Sequence, residues 1–214
     1  MAKRPVFIPD FSKQNLSKEQ MFEFIWSGGF AEVQKKKNIK ALHEAAAKNG
    51  IKSILEVSTK SEEEIGQKLS AFNLKYQIGE KFYPLESVYQ GSKVFEEGGP
   101  FKQVFELEPR EARKFIRELN YDKLKAYELE GKTYPLTPFN AFYDWLYIRS
   151  LADHAKWIKS NVKHEAFTDI EFNPKKQFNC QARALAEYLS LLKKNKLSEA
   201  VSNFDVFQSM LSTI

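Results

Sequence analysis

Glycine and proline do most to constrain what this chain can become. Gly28-Gly29, Gly50, Gly98-Gly99-Pro100, Gly131 and Asn173-Pro174 cut it into short segments, since a glycine inside a helix costs about 0.8–1 kcal/mol and a proline about 3. The fold therefore has to be assembled from short helices and short strands. No uncharged apolar run approaches the roughly 18–20 residues of a membrane span, so no membrane partner is expected. The 214 residues are 43% hydrophobic and 29% charged, the usage of a globular chain large enough to bury a core. Met1 to Pro9 is basic, but no apolar stretch or small-residue cleavage site follows, which argues against a secretory signal. A lone Cys180 has no internal disulfide partner, so a reducing, cytoplasmic location is expected. One cysteine and three scattered histidines, His43, His154 and His164, argue against a zinc site. No metal or cofactor is expected.

Within these segments the spacing predicts a mainly helical α+β protein. A helical opening is expected from about Leu16 to Asn49, with Ser17 and Gln20 as a capping-box pair and Gly50 as its stop. Ile51 to Val57 reads as a buried strand, Leu85 to Phe95 as a helix, and Pro109 to Leu119 as another with proline in its first turn. Lys125–Leu129 and Thr133–Leu136 flank a hairpin turn. Pro138 to Asp153 reads as an aromatic helix, Phe167 to Phe172 as a strand, and 179–192 and 198–211 as closing helices. The expected organisation is a helical extension over 1–50 and a compact domain over 51–214, with two separate domains as the alternative.

Lysine and arginine total 33 against 28 acids, a net charge of +5. That balance is compatible with a polyanionic partner but too diffuse to prove one. The run Lys35-Lys36-Lys37 reads as a solvated helix face. Most of the 18 phenylalanines are expected in the core, with some left over for stacking on a base or nucleotide.

The segment with most chemistry is Leu85 to Phe95. At about 100° per residue, Glu86, Gln90 and Lys93 fall at about 0°, 40° and −20°, one polar stripe opposite Val88 and Phe95. A carboxylate, an amide and an amine then point the same way. By spacing alone the stripe also fits a solvated face with two weak side-chain pairs. Gly91 counts against that, because a glycine inside a helix implies that something approaches closely. Two further blocks flank the segment. Upstream lies Leu69-Ser70-Ala71-Phe72. Downstream, Asp169 and Glu171 are expected on one face of a strand, followed by Asn179-Cys180-Gln181-Ala182-Arg183.

Taken in order, the three blocks resemble the NADAR family, which includes the YbiA-like N-glycosidases. Leu69-Ser70-Ala71-Phe72 is similar to that family's first loop. Glu86, Tyr89, Gln90 and Lys93 match its Glu-x-x-aromatic-Gln-x-x-Lys helix position by position. Asn179 matches the asparagine of its third block, and Glu171 or Asp169 stands for the carboxylate. The glycines of that block are absent, with Asn173-Pro174-Lys175-Lys176 in their place. The resemblance covers roughly Leu69 to Leu192 and leaves the residues before Ile51 unmatched.

What the resemblance implies is cleavage of an N-glycosidic bond to ribose. Catalysis would fall to Lys93, Glu86 and Asp169 or Glu171, and substrate binding to Ser70, Phe72, Tyr89, Gln90, Asn179 and Arg183. Lys93 is expected as a Schiff-base nucleophile or as an electrostatic group, Glu86 as a proton shuttle, and Arg183 as a partner for pyrophosphate. Phe72, Tyr89 and the aromatics of Phe142-Tyr143-Asp144-Trp145 are candidates to stack on a base, with core packing as the other role for each. Three functions stay open. One is removal of ADP-ribose from guanine in nucleic acid, with an ADP-ribosyltransferase toxin as partner. Another is a metabolic N-glycosidase acting on ribosyl-pyrimidines of riboflavin metabolism. The last is a non-catalytic module that binds ADP-ribose or nucleic acid.

Overall fold

The computed structural model describes residues 1–12 and 15–211; the last three residues of the expected domain, 212–214, lie outside that set. In chain order the elements are β1 (Ala2–Pro9), β2 (Ser17–Phe24), α1 (Glu32–Ala47), β3 (Ile54–Glu56), α2 (Glu64–Lys68), β4 (Lys75–Ile78) and β5 (Lys81–Pro84). Then come α3 (Leu85–Gly91), β6 (Lys93–Phe95), a 3-10 turn over Lys102–Glu106, α4 (Pro109–Glu118), β7 (Leu124–Leu129) and β8 (Lys132–Tyr134). The chain continues through α5 (Ala141–Ala152), α6 (Ala155–Asn161), β9 (Ala166–Thr168), α7 (Gln181–Lys193), α8 (Leu197–Ser202) and α9 (Phe204–Met210). The architecture is α+β. Strands β2-β1-β9-β3 form one sheet, β4-β5 a hairpin, and β6-β7-β8 a third sheet.

Helix α5 is largely apolar, with residues 141–148 all buried, so it lies inside the protein with Asp144 paired there to Arg183. It packs against α3, α7, α8 and α9 within the main core, where Phe142, Leu146, Tyr147, Phe167, Leu185 and Tyr188 are nearly or wholly inaccessible. A second core joins the β1–β2 hairpin to α1 through Val6, Phe22, Phe24, Ile39 and Leu42.

The helical extension expected over the first 50 residues is corrected here. Residues 2–24 form an antiparallel hairpin in register from Ala2↔Phe24 to Pro9↔Ser17, and only 32–47 are helical. Phe22 and Phe24 are buried on either side of exposed Glu23, the period-two pattern of a strand, and this outweighs the local Ser17–Gln20 signal. The hairpin is also not peripheral, because β1 lies between β2 and β9 in the sheet.

Three other expectations change. The helix at Leu85 stops at Gly91, and Lys93–Phe95 is a strand paired with β7. Strand β9 ends at Thr168, so Asp169 and Glu171 occupy a turn and share no strand face. The second closing helix is split at Asn203, whose side-chain oxygen accepts from Asp205 N and caps α9. The β4–β5 hairpin and α6 were not anticipated.

Gly91 does have a close neighbour. A Cβ there would sit 2.6 Å from the Phe105 ring and 2.7 Å from the Phe101 carbonyl oxygen. Phe101 is itself pinned by its N–H to Gly91 O at 2.7 Å. Gly91→Ala should therefore destabilise by about 1–3 kcal/mol through overpacking, despite alanine's better helix propensity. Urea denaturation of the two proteins checks this, and an unchanged midpoint would show that the contact yields.

Candidate active site

Helix α3 forms the floor of a cleft of about 740 Å³, within the roughly 300–1,000 Å³ range of small-molecule sites. Leu85 and Val88 are fully buried and fix the helix to the core. That leaves Glu86 and Gln90 directed at the cleft from a support that cannot shift.

The polar stripe is one hydrogen-bonded chain. Arg113 Nε donates to Glu86 Oε1 at 2.6 Å, and Gln90 Nε2 donates to the same oxygen at 2.8 Å. Lys93 Nζ donates to Gln90 Oε1 at 2.7 Å. Lys93 reaches this position from the first residue of β6, so the stripe survives the unwinding of the helix. Glu86 is 1% exposed, and its Oε2 is buried with no protein partner. A buried acceptor left open is costly unless a ligand or water fills it. Burial lowers Lys93 to about 8; Glu86 pulls it upward and Arg113 pushes it down. The amine also lies over the Tyr89 ring, 5.1 Å from its centre.

The turn after β9 brings in a second carboxyl. Glu56 of β3 accepts from Ser58 Oγ (2.7 Å), Ile170 N (2.9 Å) and Thr168 Oγ1 (2.7 Å). Since the Thr168 hydroxyl donates to Glu56, His43 Nε2, 2.8 Å away, donates to Thr168. This network holds the backbone on both sides of Asp169. Asp169 is nearly buried, and its Oδ1 accepts from Glu171 N at 3.0 Å. Burial raises its carboxyl well above the usual range; Arg113 opposes the rise. Arg113 thus acts electrostatically on both acids of the cleft. The Tyr143 phenol, raised first by burial and then by Glu86 and Asp169, stays neutral between them.

Glu171 is the other candidate carboxylate. It sits at the rim, about half exposed and paired with Lys35 of α1 at 3.1 Å. Lys35 is therefore not part of a solvated face, although Lys36 pairs with Glu32 at the surface.

The Ser70 loop is tied to the start of α7, where Gln181 Oε1 accepts from Ala71 N at 2.7 Å and lies 3.4 Å from Ser70 Oγ. Phe72 lies under the Arg113 guanidinium, 4.5 Å from its centre. Asn179 Nδ2 donates to Tyr89 OH at 2.6 Å, and Asn179 Oδ1 is a second buried acceptor without a protein partner. Glu86, Tyr89, Gln90, Lys93, Ser70, Phe72, Asp169, Glu171 and Asn179 all line the one cleft.

Arg183 does not. It is buried against Asp144 (3.1 Å) and Glu187 (3.9 Å), and a guanidinium N–H donates to Phe178 O at 2.6 Å. Its charge is consumed by two buried acids, so it has none to offer a pyrophosphate. Phe142 and Trp145 are core residues, and of that aromatic group only Tyr143 reaches the cleft.

The sequence reading missed the basic wall. Arg110, Arg113, Lys114 and Arg117 of α4 line the cleft with Lys60 and Lys176. Their spacing was visible as a cationic face at i, i+3/i+4 and i+7, but nothing local showed that this face would meet α3. Among the described residues, no group of three or more His, Cys, Asp or Glu side chains is placed to hold a metal ion, and no helix is long and apolar enough to cross a membrane.

A buried acid and a half-buried amine bridged by an amide, under a wall of arginine and lysine, define an α+β cleft protein suited to an anionic ligand with hydroxyl or amine donors. Over residues 2–214 the sequence matches the model of the DarT1-associated NADAR antitoxins, and the chain belongs to that family. The match takes in the hairpin and α1 as well as the segment carrying the three motifs. No curated protein matches the sequence.

Two measurements test this arrangement. The Lys93 side chain, followed by carbon NMR at Cε, should titrate near pH 8, and Glu86→Gln should move the midpoint lower, since Glu86 favours the charged amine. Arg183→Ala should leave buried Asp144 and Glu187 without their guanidinium partner and cost about 3–5 kcal/mol in urea denaturation. A fully stable Arg183→Ala protein would show that Arg183 is not structural.

Proposed function

We propose that this protein is an N-glycosidase that removes ADP-ribose from guanine in nucleic acid, and so reverses the modification made by a partner ADP-ribosyltransferase toxin. The observation that carries this reading is the Arg113–Glu86–Gln90–Lys93 chain, which holds an amine of lowered pKa beside an unfilled carboxylate oxygen. Family membership supports the antitoxin role and the toxin as partner.

The chemistry proceeds as follows. An exocyclic N-ribosyl amine opens when the ring oxygen takes a proton and its bond to the anomeric carbon breaks, leaving a protonated imine, still bearing its N–H, between that carbon and the guanine nitrogen. Asp169, whose carboxyl burial raises to about 7, is the proton donor in its protonated form. Neutral Lys93 adds to the imine carbon, guanine leaves as the free amine with a proton relayed by Glu86, and a lysine imine remains. Water adds to this imine and releases ADP-ribose and free Lys93. The open oxygens of Glu86 and Asn179 accept from the ribose hydroxyls or the imine N–H. With a pKa of about 8, about a tenth of Lys93 is neutral at pH 7, against well under a thousandth for an unperturbed lysine.

The wall of α4 separates this reading from the metabolic one, since a small ribosyl pyrimidine makes little use of so many cations while pyrophosphate and a nucleic-acid backbone do. A guanine-containing oligonucleotide carrying ADP-ribose should release free ADP-ribose on incubation with the protein. The pH profile of kcat/KM should be bell-shaped with its maximum between about pH 7 and 8, because Lys93 must lose its proton while Asp169 must keep one. Borohydride added during turnover should leave ADP-ribose attached to Lys93, and Lys93→Ala should lose at least 1,000-fold in rate, on the order of effects seen for covalent catalysts. Active enzyme that never traps would remove the covalent step. No release from any ADP-ribosylated guanine would remove the function.

A further inference from the structure

Phe139 and Phe178 stack on each other with ring centres 4.8 Å apart and planes 24° apart, yet they remain 54% and 62% exposed. Phe178 lines the mouth of the cleft. Apolar rings held in water are not explained by core packing, and these two are held firmly. Buried Asp144 accepts from Asn140, the neighbour of Phe139, at 2.6 Å, and pairs with Arg183, which donates to the Phe178 carbonyl at 2.6 Å. One buried carboxylate therefore anchors the segments that carry both rings, through the Asn140 side chain on one side and through Arg183 on the other. Exposed Arg110 and Arg117 belong to the α4 wall of the same cleft, and among the described residues neither has an ion-pair partner.

We infer that the Phe139–Phe178 pair is a stacking platform for an unpaired base next to the modified guanine, with Arg110 and Arg117 carrying the backbone phosphates of the same strand. Stacking needs an exposed aromatic face and tolerates any base, and phosphate tracking needs unpaired cations in line with it. Phe178 of the pair and both arginines line one cleft, and the occupant that suits an exposed ring face together with unpaired cations is a single-stranded nucleic acid. The inference rests on the reading of the cleft as acting on nucleic acid, and it adds the flanking nucleotides as part of what is recognised. A pre-fixed platform also limits the ordering cost of binding.

The test uses the intact protein and a fluorescein-labelled, unmodified single-stranded DNA of about ten nucleotides, followed by anisotropy. Phe178→Ala and Phe139→Ala should each weaken binding about tenfold, the scale of one lost base–aromatic stack, with unchanged thermal unfolding because the rings are exposed. Arg110→Ala combined with Arg117→Ala should flatten the dependence of log K on log salt by about 1.4, or about 0.7 for each phosphate contact. In turnover, Phe139→Ala should raise KM for an ADP-ribosylated oligonucleotide and leave an ADP-ribosylated guanine mononucleotide at the wild-type rate. Wild-type strand binding by the phenylalanine variants overturns the inference. So does a loss of toxin neutralisation with strand binding intact, which would mark the pair as a protein-docking surface. Wild-type protein that binds the strand through Phe178 but releases no ADP-ribose leaves the platform standing and removes the hydrolase reading instead.

Discussion

The Glu56 carboxylate, 2% exposed, collects hydrogen bonds from Ser58, Thr168 and Ile170, and most of the site's geometry follows from that one buried group. Isolated in a core, a carboxylate would cost several kcal/mol; satisfied by three donors, it ties β3 to the end of β9. Through Thr168 it also reaches His43 of α1, where burial keeps the imidazole neutral by lowering its pKa to about 4. The turn that carries Asp169 is therefore clamped on both flanks. The same burial raises the Glu56 carboxyl, and neighbouring Asp169 raises it further. The two acids share a region too dry for both to ionise easily, a common way to keep a carboxyl protonated at neutral pH.

On the other side of the cleft the opposite bias operates. Arg113 neutralises Glu86 at 2.6 Å, and Gln90 stands between that pair and Lys93, donating to the acid and accepting from the amine. An amide is well suited to this position because it carries both functions and no charge of its own. The consequence is a lysine held near a carboxylate by a neutral bridge, yet desolvated enough for its pKa to fall to about 8.

The legible part of this protein was the part whose signal is local. Glu86, Gln90 and Lys93 fall on one stripe by helical geometry alone, and the side chains do meet, even though the chain leaves the helix at Ser92. Pro109 marked the start of α4 and Glu130-Gly131 the β7–β8 turn. The choice between Asp169 and Glu171 was not legible, because it turns on burial and on Lys35, 136 residues away from Glu171 in sequence. The spacing of Arg113 could be read, but its role could not, since that depends on two helices meeting across the floor. Arg183 misled for a related reason, as a guanidinium near a motif looks available until its buried acids are seen. The first strand, with Pro5 and Pro9 in it, lacks the usual strand signature. It is tolerated because pairing on the β9 side is confined to Phe7↔Phe167.

That pairing bears on how the molecule comes into being. Residue 7 leaves the ribosome early and its sheet neighbour, residue 167, leaves late. The opening hairpin can pack on α1 early, but its β1 edge and the Phe7 side wait through most of translation before β9 emerges. Contacts so distant along a chain slow folding and prolong the exposure of sticky surface. Newly made molecules would then pass through an interval without a finished cleft, since the turn that carries Asp169 follows β9.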